Sequence, residues 1–283
     1  GLGMLFTGTP LAWLVAQWSW RAGFLVLAGL AVLAWLLIAW LVHEPEGGGH
    51  GAPPGESVGV AVRSYGALFL LPHTVGILLL ALVTYAGFLT LRGLWLGPVL
   101  IERHHFRLVA SGNVALLVSL ISLVGPALFG RADPGPQRRR GWIIGFTLLV
   151  GAIFATMALV QHSWVDIGGA LLVGFLSGYI VLQYADVRSA YPPALTGRAM
   201  AVFTMAMFLG VALAQWLTGV AAAVAQAHGV EPYRAVFGLL AALLVELKPF
   251  PANGWAIGVY ETADPAVSGI LSGASATALV LAL

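Results

Sequence analysis

One arginine stands inside an almost wholly apolar stretch of the sequence. Arg92 lies within residues 84–101, TYAGFLTLRGLWLGPVLI. A charge in hydrocarbon costs at least ~2.5 kcal/mol, so such an arginine usually faces a water-filled cavity, a partner or a substrate. The alternative is that the uncharged residues 74–91 already span the bilayer and that Arg92 extends to water from the far interface. The two interpretations differ in whether residues 93–101 are still inside the membrane.

Other polar side chains inside the apolar stretches could line a cavity together with Arg92. Each of them could instead form a hydrogen bond that holds two helices together. Trp95 follows Arg92 closely and belongs to the same group. We predict the following substrate-binding residues: Arg92, Tyr85, Trp95, Asn113, Gln183 and Gln215.

The sequence carries no constellation typical of an enzyme or of a metal site. It has no HExxH, no GxSxG and no phosphate-binding loop motif. The absence of cysteine excludes a thiolate metal site. His104 and His105 follow Glu102 and are expected to form a hydrated turn. Asp and Glu are absent from the predicted spans, so no carboxylate relay for protons is expected there. We predict no catalytic residue, no metal and no cofactor.

The composition is that of an integral membrane protein. Of the 283 residues, 60% are hydrophobic and 8% are charged, whereas a soluble domain carries ~25% charged residues. The lipid bilayer is therefore the expected surrounding. The net charge of +2 comes from few charged residues and indicates no nucleic-acid partner.

Long apolar segments with short connections predict an all-α polytopic bundle whose sequence neighbours are antiparallel. The predicted spans are the end of one span at 1–16, then 22–42, 68–101, 108–129, 142–160, 167–185 and 199–225. Residues 43–64 are rich in Gly and Pro and predict a linker between two bundles. Small residues four apart, as in Gly93/Gly97, Gly174/Gly178 and Gly210/Ala214, are typical of closely packed helices.

Arginines are unevenly divided between alternate connections. The connections 43–66, 131–140 and 186–198 together carry seven arginines, and the remaining connections carry four. The positive-inside rule therefore assigns the first set to the cytoplasm. Asp133 could accept hydrogen bonds there and pin two helices together, or the loop could be a plain basic loop that sets orientation. The predicted turn motif comprises Gly130, Asp133, Arg138, Arg139, Arg140, Asp186, Arg188 and Arg198.

The two ends of the chain are irregular. The sequence opens inside an apolar run that no Lys or Arg precedes, which is unlike a signal peptide and indicates a lost start. Residues 235–245 are too short to span a bilayer alone, and a polar, broken segment follows them. A reading-frame error near residue 246 is one hypothesis for this tail, and DNA that proved clean across that point would refute it.

The succession of these segments resembles the major facilitator superfamily. The stretches that carry the resemblance are 8–14 with its Pro10, 20–24 (WRAGF), 91–98 (LRGLWLGP), 130–140 and 188–215. On this resemblance the chain corresponds to helices five to eleven and the beginning of helix twelve. The implied domains are 1–42, the last two helices of the N-terminal half; 43–66, the central cytoplasmic linker; 67–247, the C-terminal half; and 248–283, an irregular tail.

The resemblance implies a secondary transporter that works by alternating access, with its substrate between two six-helix halves. It places Arg92 in the seventh helix, where Arg92 would pair with an anionic substrate group or with a carboxylate of the other half. It also implies a small-molecule substrate, coupling to a proton or to another solute, and a location in a bacterial inner membrane. As a fragment, the chain is not expected to transport by itself. The alternative is a non-transporting membrane scaffold or regulatory subunit.

Overall fold

The computed structural model describes residues 2–42 and 71–246, together with residues 59, 65, 66, 68 and 69 between them. The elements in this part of the chain are helices, and it contains no strand. The predicted tail at 248–283 and most of the predicted linker at 43–66 lie outside the described residues. The helices are α1 (Leu2–Phe6), α2 (Thr9–Gln17), α3 (Trp20–Leu41), α4 (Pro72–Thr90), α5 (Leu108–Arg131), α6 (Pro136–Leu159), α7 (Ser163–Leu176), α8 (Ile180–Ala190), α9 (Pro193–Ala227) and α10 (Pro232–Glu246).

Six helical segments of the described chain are long and apolar enough to cross a membrane. They are Trp20–Leu41, Thr74–Arg103, Leu108–Arg131, Pro136–Leu159, Ser163–Ala190 and Leu195–Ala227. The predicted all-α, polytopic membrane bundle is confirmed. Helix α3 buries only Gly23 and is apolar on all sides, as a helix surrounded by lipid is.

The helices extend beyond the apolar stretches that predicted them. Helix α6 begins at Pro136 and α9 at Pro193, each with proline in the first turn, where its missing N–H leaves no hydrogen bond unmade. Helix α8 continues to Ala190, so the connection predicted at 186–198 shrinks to residues 191–192. Hydropathy marked only the apolar part of each helix, whereas the helices continue into the charged residues beyond it.

Helix α4 does not end where its regular α-helical part ends. It continues through a π-helical segment at Leu91–Trp95, a short α-helical turn at Leu96–Pro98 and a second π-helical segment at Val99–Arg103. A π-helical segment inserts an extra residue per turn and turns the following side chains to new directions, which is common at functional sites. Arg92 lies in the first of these segments.

Two pairs of helices approach so closely that only glycine fits between them. A Cβ atom added to Gly210 of α9 would lie 1.9 Å from the carbonyl oxygen of Leu82 in α4. A Cβ atom added to Gly178, between α7 and α8, would lie 2.3 Å from the carbonyl carbon of Gly125 in α5. The predicted close packing at Gly178 and at Gly210 is confirmed.

Candidate functional site

The Arg92 guanidinium joins three helices in the interior of the bundle. Its Nε donates to the carbonyl oxygen of Ala115 at 3.1 Å and to Oγ of Ser119 at 3.0 Å, both in α5. Its Nη2 donates to the carbonyl oxygen of Met4 at 3.2 Å and to Oγ1 of Thr7 at 3.4 Å. Arg92 therefore bridges α4 and α5 to the region of α1 and α2.

Arg92 also lines a cavity of about 270 Å³ between α2, α4 and α5. Besides Arg92, the side chains of Thr7 and Ser111 supply polar atoms, and most other lining residues are apolar or glycine. Within the described part of the chain, no carboxylate lies within 4.0 Å of the Arg92 nitrogens. The positively charged Arg92 side chain therefore lines the cavity without a counter-ion among the described residues.

The position of Arg92 along α4 bears on the two interpretations of this residue. The helical segment continues from Arg92 to Arg103, which at a rise of 1.5 Å per residue is about 16 Å. Residues 93–101 thus remain in the same candidate span, Thr74–Arg103. The continuing helix and the cavity support an arginine that faces a cavity, and this interpretation stays a prediction.

Two of the other predicted binding residues make contacts between helices. Asn113 accepts a hydrogen bond from Oγ1 of Thr9 at 2.7 Å through its Oδ1 and so joins α5 to α2. Trp95 donates from Nε1 to Oγ1 of Thr218 in α9 at 2.9 Å. Both contacts have the geometry of structural links, which was the alternative function for such residues.

The remaining three predicted residues lie in three helices, with Gln215 in α9, Gln183 in α8 and Tyr85 in α4. Gln215 lies beside Gly93, where an added Cβ atom would be 3.9 Å from its Nε2. Gln183 accepts a hydrogen bond from Thr84 at 3.0 Å, while its buried Nε2 has no partner among the described residues. Tyr85 meets Phe208 edge to face at 6.4 Å. Of the six predicted residues only Arg92 lines the 270 Å³ cavity, and the role of all six in binding stays a prediction.

Asp133 and Arg139 form a paired link at the end of α5 and α6. Arg139 donates from Nη2 to Oδ2 of Asp133 at 2.7 Å and from Nε to Oδ1 at 3.0 Å. Its Nη1 donates to Oγ of Ser189 in α8 at 3.2 Å. The guanidinium holds the pKa of Asp133 below its ordinary value. The pinning interpretation of Asp133 therefore has the required geometry.

The other residues of the predicted turn motif lie around this link. Asp186 pairs with Arg140 at 3.6 Å, which is a second contact between α6 and α8. Exposed positions are occupied by Gly130, Arg138 and Arg188. Arg198 lies in α9 and is half-buried. Two of the connections that alternation assigned to one side of the membrane, 131–140 and 186–198, do meet.

Removing the Arg139 side chain is expected to weaken this end of the bundle. We expect Arg139→Met to lower the free energy of unfolding by about 2 kcal/mol, because the buried guanidinium makes charge-assisted hydrogen bonds to Asp133 after α5 and to Ser189 in α8. SDS-induced unfolding in mixed micelles measures the change. The exposed Arg138→Met is the matched control, and an equal loss in the control would contradict the link.

The stability that Asp133 contributes through its pairing with Arg139 is complete above about pH 4. It is lost as the pH falls through the lowered pKa of Asp133.

A cluster of charged residues at the opposite end of the bundle was missed by the sequence reasoning. Arg103, at the end of α4, donates from Nη1 to Oδ2 of Asp166 at 2.9 Å and from Nη2 to Oε2 of Glu231 at 2.7 Å. His104 Nε2 lies 2.7 Å from the same Asp166 oxygen. The hydroxyl of Tyr233 donates to Glu102. These contacts join three connections that alternation also assigned to one side.

Two expectations about this region are wrong. His104 does not lie in a hydrated turn, because its side chain is only 10% exposed and contacts Asp166. The expectation that no carboxylate lies within a span also fails. Helix α7 begins at Ser163, so Asp166 falls in its first turn with its side chain 0% exposed. The available signal was an acidic residue just before an apolar run, which is favourable at a helix N-terminus.

The comparisons with known proteins give one family. The profile described as Major Facilitator Superfamily matches residues 1–215 of the chain. No curated protein matches the sequence.

Proposed function

The chain belongs to the major facilitator superfamily, and from this premise we propose that it contributes to secondary active transport of a small anionic solute by alternating access. In this mechanism two groups of helices move against each other around a solute held near the middle of the membrane. We propose the bacterial inner membrane as its location. The basic turn at 131–140 supports a cytoplasmic position for that end of the bundle.

The observation that supports an anionic substrate is the positive charge of Arg92, which has no counter-ion among the described residues. The guanidinium lies in a π-helical segment, lines a cavity of about 270 Å³ and has no carboxylate within 4.0 Å among the described residues. Its Nε and Nη2 are held by α5 and by the region of α1 and α2. A fixed guanidinium in an apolar surrounding favours a carboxylate or phosphate over a neutral solute.

The coupling ion that we propose is the proton. Carboxylates and histidines inside membrane proteins are the usual groups for moving protons. Asp166 is a fully buried carboxylate in contact with His104, and this pair supports a proton over a metal cation. An enzymatic function is not proposed, because no acid and base face each other across the Arg92 cavity among the described residues.

Uptake measurements on Arg92 variants test the substrate class. The protein, expressed from its complete reading frame, is assayed in cells with radiolabelled small monocarboxylates, dicarboxylates and phosphate esters, and with neutral sugars for comparison. We expect uptake of one anion class, a loss of about 10- to 100-fold in apparent affinity for Arg92→Met, and a smaller loss for Arg92→Lys. Unchanged uptake in both variants would remove Arg92 from the site.

Matched controls separate the charge of Arg92 from its structural bonds. Ser119→Ala and Thr7→Val each remove one hydrogen-bond partner of the guanidinium and leave its charge in place. Both variants are expected to keep the affinity of the parent protein within about threefold. If they lose as much as Arg92→Met does, the effect of Arg92 is structural. Absence of uptake for every solute would instead favour the scaffold or regulatory alternative.

A further inference from the structure

The cluster of Arg103, His104, Asp166 and Glu231 lies at the opposite end of the bundle from the Arg139 link. We infer that this cluster is a proton-binding site, in which one proton resides on the His104 imidazole against the Asp166 carboxylate. The site rests on the contacts within the cluster, and only its use for coupling rests on the proposed function.

The charge balance of the cluster is the first reason. One guanidinium, that of Arg103, faces two carboxylates, Asp166 and Glu231, at 2.9 and 2.7 Å. With a neutral His104 these four groups carry one net negative charge. The Arg103, Asp166 and Glu231 side chains that share it are 7%, 0% and 31% exposed. Burial of an uncompensated charge is costly. One proton bound by His104 makes the group neutral.

The geometry of Asp166 is the second reason. Its Oδ2 receives both the Arg103 and the His104 contacts, whereas its Oδ1 is buried and has no partner among the described residues. Because the second oxygen is unsatisfied, the hydrogen bonds of the cluster leave part of the Asp166 charge uncompensated. A carboxylate only accepts hydrogen bonds, so Nε2 of His104 carries a hydrogen. Besides Arg103, the His104 ring is the group in contact with Asp166 that can supply a further positive charge.

The chemistry of histidine is the third reason. Histidine is the side chain whose charge ordinarily changes between pH 5 and 8. The surrounding elements supply further charged and titratable groups. Among them, Tyr233 donates a hydrogen bond to Glu102, and the backbone N–H of Arg234 donates to Glu231. The titratable and charged groups on the elements that meet here are Glu102, Arg103, His105 and Arg107 after α4, His162 before α7, and His228, Glu231, Tyr233 and Arg234 around the start of α10.

Proton binding would stabilise the contacts that link the ends of three helices. Arg103 follows α4, Asp166 lies in the first turn of α7, and Glu231 precedes α10. A proton held by the folded cluster and not by the unfolded chain stabilises the fold, and this stabilisation is lost as the pH rises and the proton leaves. The stability of the protein should therefore decrease between pH 5.5 and pH 8 through this site.

Thermal unfolding of the purified protein in detergent at several pH values tests the site without a substrate. We expect Tm of the unaltered protein to fall by about 3 °C or more from pH 5.5 to pH 8. His104→Gln, which keeps a donor for Asp166 but cannot bind the proton, should remove most of this dependence. His105→Asn is the matched control, because His105 is exposed and has positive φ, which Asn tolerates; it should retain the full dependence.

A second variant, which changes the net charge of the cluster and leaves His104 in place, tests the inference if His104→Gln does not fold. Glu231→Gln removes one carboxylate whose side chain is 31% exposed, and it leaves Arg103 to neutralise Asp166 alone. The pH dependence of Tm should then shrink although His104 is intact, an effect that a merely structural histidine would not produce. A pH dependence that is absent in the unaltered protein, or unchanged in both variants, would overturn the inference. Neither outcome depends on the Arg92 experiments.

Discussion

Arg103→Met is expected to lower the free energy of unfolding by about 3–5 kcal/mol, the range for breaking one side of a buried ion pair. The Arg103 side chain is 7% exposed and is the common partner of Asp166 and Glu231. Methionine has a similar length but leaves the fully buried Asp166 carboxylate with His104 as its one side-chain partner among the described residues. SDS-induced unfolding in mixed micelles at pH 7 measures the loss.

The controls for this prediction are within the same turn and the same cluster. Arg107→Met removes an exposed arginine four residues away and should change the free energy of unfolding by less than about 0.5 kcal/mol. The double variant Arg103→Met with Asp166→Asn should lose less than the sum of the two single variants, because the amide needs no counter-ion. Strict additivity of the two losses would mean that Arg103 and Asp166 do not stabilise each other.

Gly210→Ala is expected to lower the free energy of unfolding by about 3 kcal/mol or more, the upper range for inserting atoms into a packed interior. The added methyl group would lie 1.9 Å from the carbonyl oxygen and 2.5 Å from the carbonyl carbon of Leu82. Both are backbone atoms, so α4 and α9 must separate along their contact. Size-exclusion chromatography and the unfolding temperature in detergent measure the damage.

A second glycine of α9 is the matched control for Gly210. Gly219 lies in the same helix and has open space around its Cα, so that an added Cβ atom meets nothing within 4 Å. Gly219→Ala should therefore stabilise the helix by up to about 1 kcal/mol, since alanine has the higher helix propensity. If Gly210→Ala behaves like Gly219→Ala, α4 and α9 do not pack as closely as the structure describes.

Two pairs of small residues with the same spacing show what such a sequence pattern predicts and what it does not. The spacing of Gly210 and Ala214 predicted a close helix contact, and the structure confirms it. The same spacing at Gly93 and Gly97 gives no such contact: Gly97 has no neighbour within 4 Å of an added Cβ atom. The pattern depends on which way the face of the helix points, which the spacing does not contain.

In the candidate site, too, the sequence predicted one feature and not the others. Arg92 could be singled out from sequence because a charge in an apolar run is costly wherever the run packs. Of the six predicted binding residues only Arg92 lines the 270 Å³ cavity, and a binding role for the other five stays a prediction. Trp95 and Asn113 instead bind Thr218 and Thr9 of neighbouring helices.

The sequence by itself determined the properties that depend only on the length and order of the apolar segments. Apolar runs longer than a bilayer is thick determined a helical membrane bundle, since each backbone group must be hydrogen-bonded within its own segment. The alternation of spans determined which connections share an end, as the contacts of Arg139 with Ser189 and of Arg103 with Asp166 and Glu231 confirm.

Only the tertiary structure decided which distant residues meet. Arg103 and Asp166 are separated by 63 positions, and Arg103 and Glu231 by 128, so their pairing depends on how far each helix extends past its apolar run and how it is rotated about its axis. Hydropathy is blind to both quantities, because a rotation of about 100° moves a side chain to the neighbouring face without changing the composition of the run. The buried carboxylate of Asp166 was hidden for this reason.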